Sequence, residues 1–263
     1  MTLSAPVVLA LTLGGYVLLH VAACRLIAKI GKRAKLAAAF SSLLLCLPGL
    51  WFVLYYLHRL PEPPLLYQLH ALPFTEVFLA LFGFAAGLWR AVLPRALKLV
   101  PTAAGAFLLC IPFLKPVFRA LDRSELHETW RDEACIQSSM TTCGPASAAS
   151  ILRHLGDKEV TERELATEAW TSRSGTEAWH LARAIKSRGY KVSFLAPDGL
   201  PDPKELPGIL GISLGGAGHF IALLEIADSE ITFVDPLRGR QRMSIDEFKR
   251  STQIEPFFMS IQR

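Results

Sequence analysis

Acidic residues are almost missing from the first half of this 263-residue chain: up to Arg119 there are two, Glu62 and Glu76, against eleven Lys and Arg. From Leu121 onward seventeen basic residues face 21 acidic ones, so the net charge of +5 divides into +9 and −4. The positive excess lies in short loops between apolar runs, not on a folded surface. It therefore speaks for membrane topology and excludes a nucleic-acid patch. No G-x-x-x-x-G-K-[ST] occurs, which excludes a P-loop ATPase and nucleotide binding in this chain; energy coupling, if any, belongs to a partner. Low-complexity segments and internal repeats are also missing.

What is abundant is apolar residue, 51% of the chain. A bilayer takes about 20 residues of helix, and four runs are long enough: "PVVLALTLGGYVLLHVAACRLIA" (6–28), "LAAAFSSLLLCLPGLWFVLYYL" (36–57), "FTEVFLALFGFAAGLWRAVL" (74–93) and "LVPTAAGAFLLCIPFLKPVF" (99–118). The first lacks the basic start of a signal peptide, runs too long for one and is followed at once by a second span, so it reads as retained. Lys29, Lys32, Arg33 and Lys35 follow the first run, and Arg90, Arg95 and Lys98 lie around the third-to-fourth connection, whereas the 58–73 loop holds only Arg59. By the positive-inside rule the two basic loops are cytoplasmic and both termini lie outside. Span four carries Pro101, Pro112 and Pro116. It reads as a kinked crossing; a re-entrant segment would instead move the following domain inside. Glu76 reads as an interfacial acid.

The expected organisation is an all-α transmembrane domain of four helices over 1–120, a linker over 121–132, and a water-soluble domain over 133–263. In that last part a helix is expected from about Cys143 to Leu155, closed by Gly156. A capping box at Thr161 opens a second, and a third runs from about Thr176 to Arg188. Short β-type runs follow at 190–196, 208–214, 219–226, 230–235 and 256–261, with "SIDE" at 244–247 capping an inserted short helix. Helices first and a mostly antiparallel sheet afterwards make this domain α+β.

Cys24, Cys46 and Cys110 fall inside the spans and serve as small apolar residues. Cys135 and Cys143 remain, and outside the cytoplasm they could form a disulfide. Against that, Cys143 opens a helix, where the macrodipole and free N–H groups stabilise a thiolate and make it reactive. A nucleophile needs a base, an orienting partner and an oxyanion donor. His154 lies eleven residues along the same helix, roughly 16 Å away, and cannot reach Cys143; His180 reads as a half-buried surface residue. His219 opens a strand after the flexible "GGAG", Asp235 ends the neighbouring strand of a hairpin, and Gln137 stands six residues before Cys143. Residue pattern alone leaves two readings open, catalysis and core filling.

Residues 133–263 resemble the peptidase C39 family, papain-like cysteine peptidases of bacteriocin exporters that remove leader peptides after a Gly-Gly pair. The resemblance rests on "QSSMTTCGPA" (137–146), similar to that family's Q-x5-C-G-x-A block, on "GHFIAL" (218–223), on "FVDP" (233–236) and on "MSIDEF" (243–248). It implies a papain-like α+β fold with Cys143 as nucleophile, His219 as general base, Asp235 as orienter and Gln137 as oxyanion-hole side chain, and no metal or cofactor. In those exporters the domain precedes the membrane spans, lies in the cytoplasm and is joined to an ATPase; here it follows four spans. The expectation is a multi-pass protein of the bacterial cytoplasmic (inner) membrane with an extracytoplasmic cysteine endopeptidase domain. Its partners would be the lipid bilayer, an exported or membrane-associated polypeptide as substrate, and a membrane partner protein. The alternative is a catalytically silent C39-like peptide-binding module or an accessory membrane subunit of a processing or export complex.

Overall fold

The computed structural model describes residues 3–263, and they divide into two compact units. One comprises residues 3–62 and 74–118; the other comprises 63–73 and 119–263. The first is all-helical: α1 (Ala5–Ala28), α2 (Lys32–Leu45), α3 (Leu47–Tyr56), α5 (Leu81–Val92) and α6 (Val100–Cys110), with α4 (Pro64–His70) belonging to the second unit. Four membrane-length apolar stretches are present: Ala5–Ala28, Lys32–Tyr56, Thr75–Val92 and Arg95–Phe118. Their surfaces carry exposed Leu18, Leu44 and Phe107, side chains that water disfavours and lipid accepts.

The spans are segmented where the sequence breaks helical regularity. α2 passes to α3 at Cys46, just before Pro48, and the third begins as a 3-10 turn, Thr75–Ala80, ahead of α5. After α6, the fourth tightens to 3-10 geometry at Ile111–Phe113 and widens to π at Leu114–Phe118, around Pro112 and Pro116. Proline removes an intrahelical donor, and local 3-10 and π adjustments are how a membrane helix absorbs that loss. α1 and α5 cross on a G-x-x-x-G face: a Cβ at Gly83 would lie 2.1 Å from the Tyr16 carbonyl oxygen, and one at Gly87 would lie 2.6 Å from that of His20. Only glycine permits so close an approach of two backbones. Glu76, at the start of the third apolar stretch, is buried inside this unit, 2% exposed.

The second unit is α+β. A small ribbon, β1 (Thr129–Arg131) with β2 (Ala134–Ile136), leads into α7 (Cys143–His154), α8 (Glu162–Glu168) and α9 (Ala178–Lys186). A six-stranded antiparallel sheet follows, built from β3 (Lys191–Leu195), β4 (Gly208–Leu214), β5 (Ala217–Ala227), β6 (Glu230–Asp235), β7 (Gly239–Ser244) and β8 (Gln253–Gln262), in the order β3-β8-β4-β5-β6-β7. α10 (Ile245–Ser251) is inserted before β8. Both expected capping boxes form: Thr161 Oγ1 accepts from the Glu164 N–H at 3.1 Å, and Ser244 Oγ accepts from the Glu247 N–H at 3.2 Å. One face of the sheet holds a core of Leu210, Ile221, Leu223, Ile231, Phe233 and Phe258, closed by Phe248 of α10.

Three elements escape the sequence pattern. β7, "GRQRMS", is polar because it is an edge strand whose side chains alternate between water and cover. β1 lies in the stretch expected to be linker. α4 lies in a loop rich in proline, yet Pro64 sits at the start of the helix, where a missing N–H costs nothing.

Candidate active site

Cys143 is the first residue of α7, and Gly144 and Pro145 follow it. The site needs both. A Cβ on Gly144 would come 3.2 Å from the Leu181 side chain and 3.4 Å from that of Phe220, and Pro145 in the first turn gives up an N–H that has no intrahelical acceptor. The Ser147 hydroxyl donates to the Phe220 carbonyl at 3.0 Å, pinning the start of α7 to β5 immediately beside His219.

β4 and β5 are joined by Gly215 and Gly216 with φ of +60° and +85°, a two-residue turn of the I′ kind that glycine supplies without strain. The segment read as flexible from sequence is thus a defined hairpin turn, and it sets the register Ile212↔His219. On the other side β5 pairs with β6 through Ala222↔Val234. His219 is an odd number of residues from Ala222, and Asp235 an odd number from Val234, so the two side chains project from the same face of the sheet. They are diagonal neighbours, a separation long side chains bridge. His219 Nε2 and Asp235 Oδ1 are 2.9 Å apart, and each residue is 7% exposed. The Leu237 N–H also donates to Oδ1, at 3.0 Å.

With Nε2 engaged by the carboxylate, Nδ1 is the ring nitrogen left for sulfur. Burial by itself would lower the His219 pKa, but hydrogen bonds with Asp235 and Cys143, and the charge of both, outweigh it and push the value up to about 9. Asp235 moves the other way: burial opposes ionisation, yet the His219 and Leu237 hydrogen bonds and the charges of His219 and Arg238 hold its carboxyl below the ordinary value. At neutral pH the pair is an imidazolium clamped by a carboxylate, beside the Cys143 sulfur.

Gln137 is tied to the same turn through its backbone, the N–H donating to the Pro236 carbonyl at 2.9 Å. Its amide nitrogen donates to the Ser139 carbonyl at 2.6 Å, while Oε1 is buried without a hydrogen-bond partner among the described residues. An amide carries two N–H donors, so one remains. The residues lining the cleft around Cys143 and His219 include Met140, Thr141 and Gly144 but not Gln137. The structure brings Cys143 and His219 to one cleft with Asp235 bonded to the imidazole, and ties the Gln137 amide to the loop that leads to Cys143.

That loop is held by a residue the sequence pattern does not single out. The Glu162 carboxylate, fully buried at the start of α8, accepts from the Ser138 N–H at 2.9 Å and the Ser138 hydroxyl at 2.5 Å. Burial raises its pKa, with the hydrogen bonds from Ser138 and Thr142 opposing. In sequence Glu162 is one acid of a capping box, indistinguishable from a solvated one. His180 is another departure: it is 4% exposed, packed against Trp170 and Trp179, not half-buried at the surface.

All five cysteines are free, so Cys135 and Cys143 are not joined. Cys135 is completely buried and its backbone N–H donates to Ser150 Oγ at 2.9 Å. Burial first, then the charges of Glu162 and Glu128, push its thiol pKa far up. It is a core residue. Among the described residues no cluster of three or more His, Cys, Asp or Glu could hold a metal ion.

Comparison with known proteins bears on the domain as a whole. The sequence profile described as the peptidase C39 family matches residues 131–254. An uncharacterized protein of Methanothermobacter marburgensis is 35% identical over 120 residues, 45% of this chain and 82% of that one. The chain belongs to the peptidase C39 family. A Methanothermobacter thermautotrophicus protein, also uncharacterized, is 32% identical with the same coverage. The Lactococcus lactis lactococcin-G-processing and transport ATP-binding protein LagD is 30% identical over 118 residues, 43% of this chain but 17% of that longer protein. Among solved structures, the peptidase domain of Streptococcus ComA, a bi-functional ABC transporter, aligns with TM-score 0.42 and 23% identity, over 48% of this chain and 95% of that domain. A double-glycine-motif protease from an AMS/PCAT transporter, solved with its leader peptide, gives 0.39 and 18% over 52% and 89%. The C-terminal part of this chain is thus a C39 peptidase-like domain related to those of processing transporters.

Proposed function

We propose that this C39 protein is a membrane-anchored cysteine endopeptidase that processes an exported or membrane-associated polypeptide. The observation that carries the reading is the set gathered at one end of the inner strands β5 and β6: Cys143 at the start of α7, His219 beside it in the cleft, and Asp235 bonded to the imidazole. The Cys143 sulfur, its proton passed to His219, attacks the scissile carbonyl carbon and forms a thioester as the C–N bond breaks. The His219 imidazolium gives its proton to the leaving amine, then as a neutral base takes one from the water that hydrolyses the thioester. Asp235 fixes the ring orientation and stabilises its charged form. The free N–H of Gln137, together with the backbone N–H of Cys143, would donate to the oxyanion once the bound substrate draws the loop in. LagD and the transporter proteases offer the class of substrate, a peptide, and the class of partner, a transporter.

α4 supports the side of the membrane that the loop charges suggest. Gln68 donates to the Val192 carbonyl at 3.2 Å, and the Arg183 Nε donates to the His70 carbonyl at 3.0 Å, so α4 and the peptidase domain lie on one side. Between them the chain passes through Thr75–Val92 and Arg95–Phe118. If only one of these crossed, those bonds could not form; a kinked but complete fourth span satisfies them. With the basic loops inside, the domain is extracytoplasmic, and the membrane is the cytoplasmic one.

The reading is tested by comparing polypeptide N-termini in the membrane and exported fractions of cells carrying the native protein or Cys143→Ala. The expected result is one or a few polypeptides that keep an extra segment only with Cys143→Ala. Identical termini in both would contradict it.

A further inference from the structure

The cleft that holds Cys143 and His219 is walled in part by residues outside the stretch matched to the C39 family. Tyr67 of α4, and Glu255 and Phe257 of β8, line it with Met140, Ile212 and Phe220. Its volume is about 350 Å³, within the range of roughly 300–1,000 Å³ in which proteins enclose small groups or side chains.

Phe257 reaches the cleft because the ladder between β4 and β8 is interrupted. Leu210 pairs with Phe258 and Ile212 with Ile254, so Gly211 alone faces Glu255, Pro256 and Phe257. Pro256 cannot donate to a ladder, and a bulge of this kind re-aims the side chains around it. Gly211 permits it: a Cβ there would stand 3.2 Å from that of Phe257. Tyr67 then stacks on Phe194, centroids 5.0 Å apart, and meets Phe257 edge-on at 5.3 Å, while Phe257 lies 5.1 Å from Phe220, the neighbour of His219. A run of aromatic rings extends from the inter-span helix to Phe220, the chain neighbour of His219.

α4 is held as part of the domain, not draped on it. Besides the Gln68 bond, the Arg183 guanidinium closes on the His70 carbonyl with both Nε and a terminal nitrogen, at 3.0 and 2.5 Å, and the His70 ring packs on Trp179 at 5.7 Å. A side chain fixed this firmly in a cleft wall selects what enters.

We infer that Tyr67, donated by the connection between the second and third spans, is a specificity-determining residue of the peptidase cleft, forming with Phe257 and Phe220 the subsite for one apolar side chain of the substrate polypeptide. This rests on the peptidase reading above. Aromatic faces and the Ile212 and Met140 side chains give such a group dispersion contact and remove it from water. The connection between two apolar spans thereby supplies a piece of the substrate site.

The test uses the full chain in detergent micelles and a proteome-derived peptide library, reading residue frequencies around each cut. Wild type should enrich apolar residues at one position, and Tyr67→Phe should keep that enrichment. In Tyr67→Ala the enrichment should collapse, with KM on a preferred peptide up about tenfold and kcat within about threefold, the signature of lost uniform binding. Tyr67→Trp, which preserves ring packing should Tyr67→Ala fail to fold, should shift the preference to smaller side chains. An active Tyr67→Trp or Tyr67→Ala with an unchanged profile overturns this inference alone. No cutting by wild type, or equal cutting by Cys143→Ala, overturns the peptidase reading and this inference with it.

Discussion

His219 keeps its proton because of what stands on either side of it. Asp235 accepts from Nε2 at 2.9 Å, and Cys143 faces the other nitrogen, so the imidazolium persists to a pH of about 9 although burial acts against it. A group whose folded pKa lies above its unfolded value contributes stability that is complete below the unfolded value, about 6.5 for histidine, and is lost as pH rises through the folded one. The proton that the leaving amine takes up must also come from this ring, so turnover should fall along the same limb. Asp235→Asn removes the carboxylate's contribution. We expect the alkaline limb of the kcat/KM profile to move below about 9, and kcat to fall by about 10²–10⁴, as when a triad loses its orienting acid. An unmoved limb, measured on any peptide the enzyme cuts, would separate Asp235 from the proton balance. Cys135 makes the opposite case. Eight residues from Cys143 in sequence, it is sealed beneath Ser150 and held as a thiol.

At the scale of elements, the antiparallel register and the helix starts were legible in the sequence. "GG" between apolar runs marks the β4–β5 turn, "FVDP" ends β6, and two capping boxes start α8 and α10. Those signals are local, and they put Cys143 at the start of α7, His219 near the start of β5 and Asp235 at the end of β6. Tyr67 and Glu162 were not legible, since their partners are distant: Tyr67 meets Phe257 across 190 positions, and Glu162 meets Ser138 across 24. Gln137 was legible as a residue but not as a geometry, its amide being bonded to Ser139 instead of lining the cleft. The α8 contact makes its own prediction. Glu162→Ala leaves the half-buried Ser138 N–H without this acceptor, a loss of about 1 kcal/mol. It should lower the denaturation midpoint of the full chain and slow acylation of Cys143 by loosening the loop. Unchanged acylation in a destabilised protein would confine Glu162 to stability.

For the whole molecule, the alternation of charge and hydropathy along the chain separated membrane part from peptidase, while the allegiance of residues 63–73 to the peptidase unit was hidden by their place between two spans. That allegiance bears on topology, because α4 and the C-terminal domain must share a side. Reporters active only in the cytoplasm should be silent when placed after Leu72 and after Arg263, and active when placed in the 29–35 loop. Opposite signals at the first two positions would mean that one of the last two apolar stretches does not cross.

The central claim is that Cys143 is the nucleophile and His219 its proton partner. It is tested most directly by treating the native full-length protein with an electrophilic peptide probe and mapping the adduct by mass spectrometry. The account predicts modification of Cys143 but not of buried Cys135, and loss of that modification in His219→Ala. Equal labelling of Cys143 with and without the imidazole, or labelling of Cys135 in its place, would contradict it.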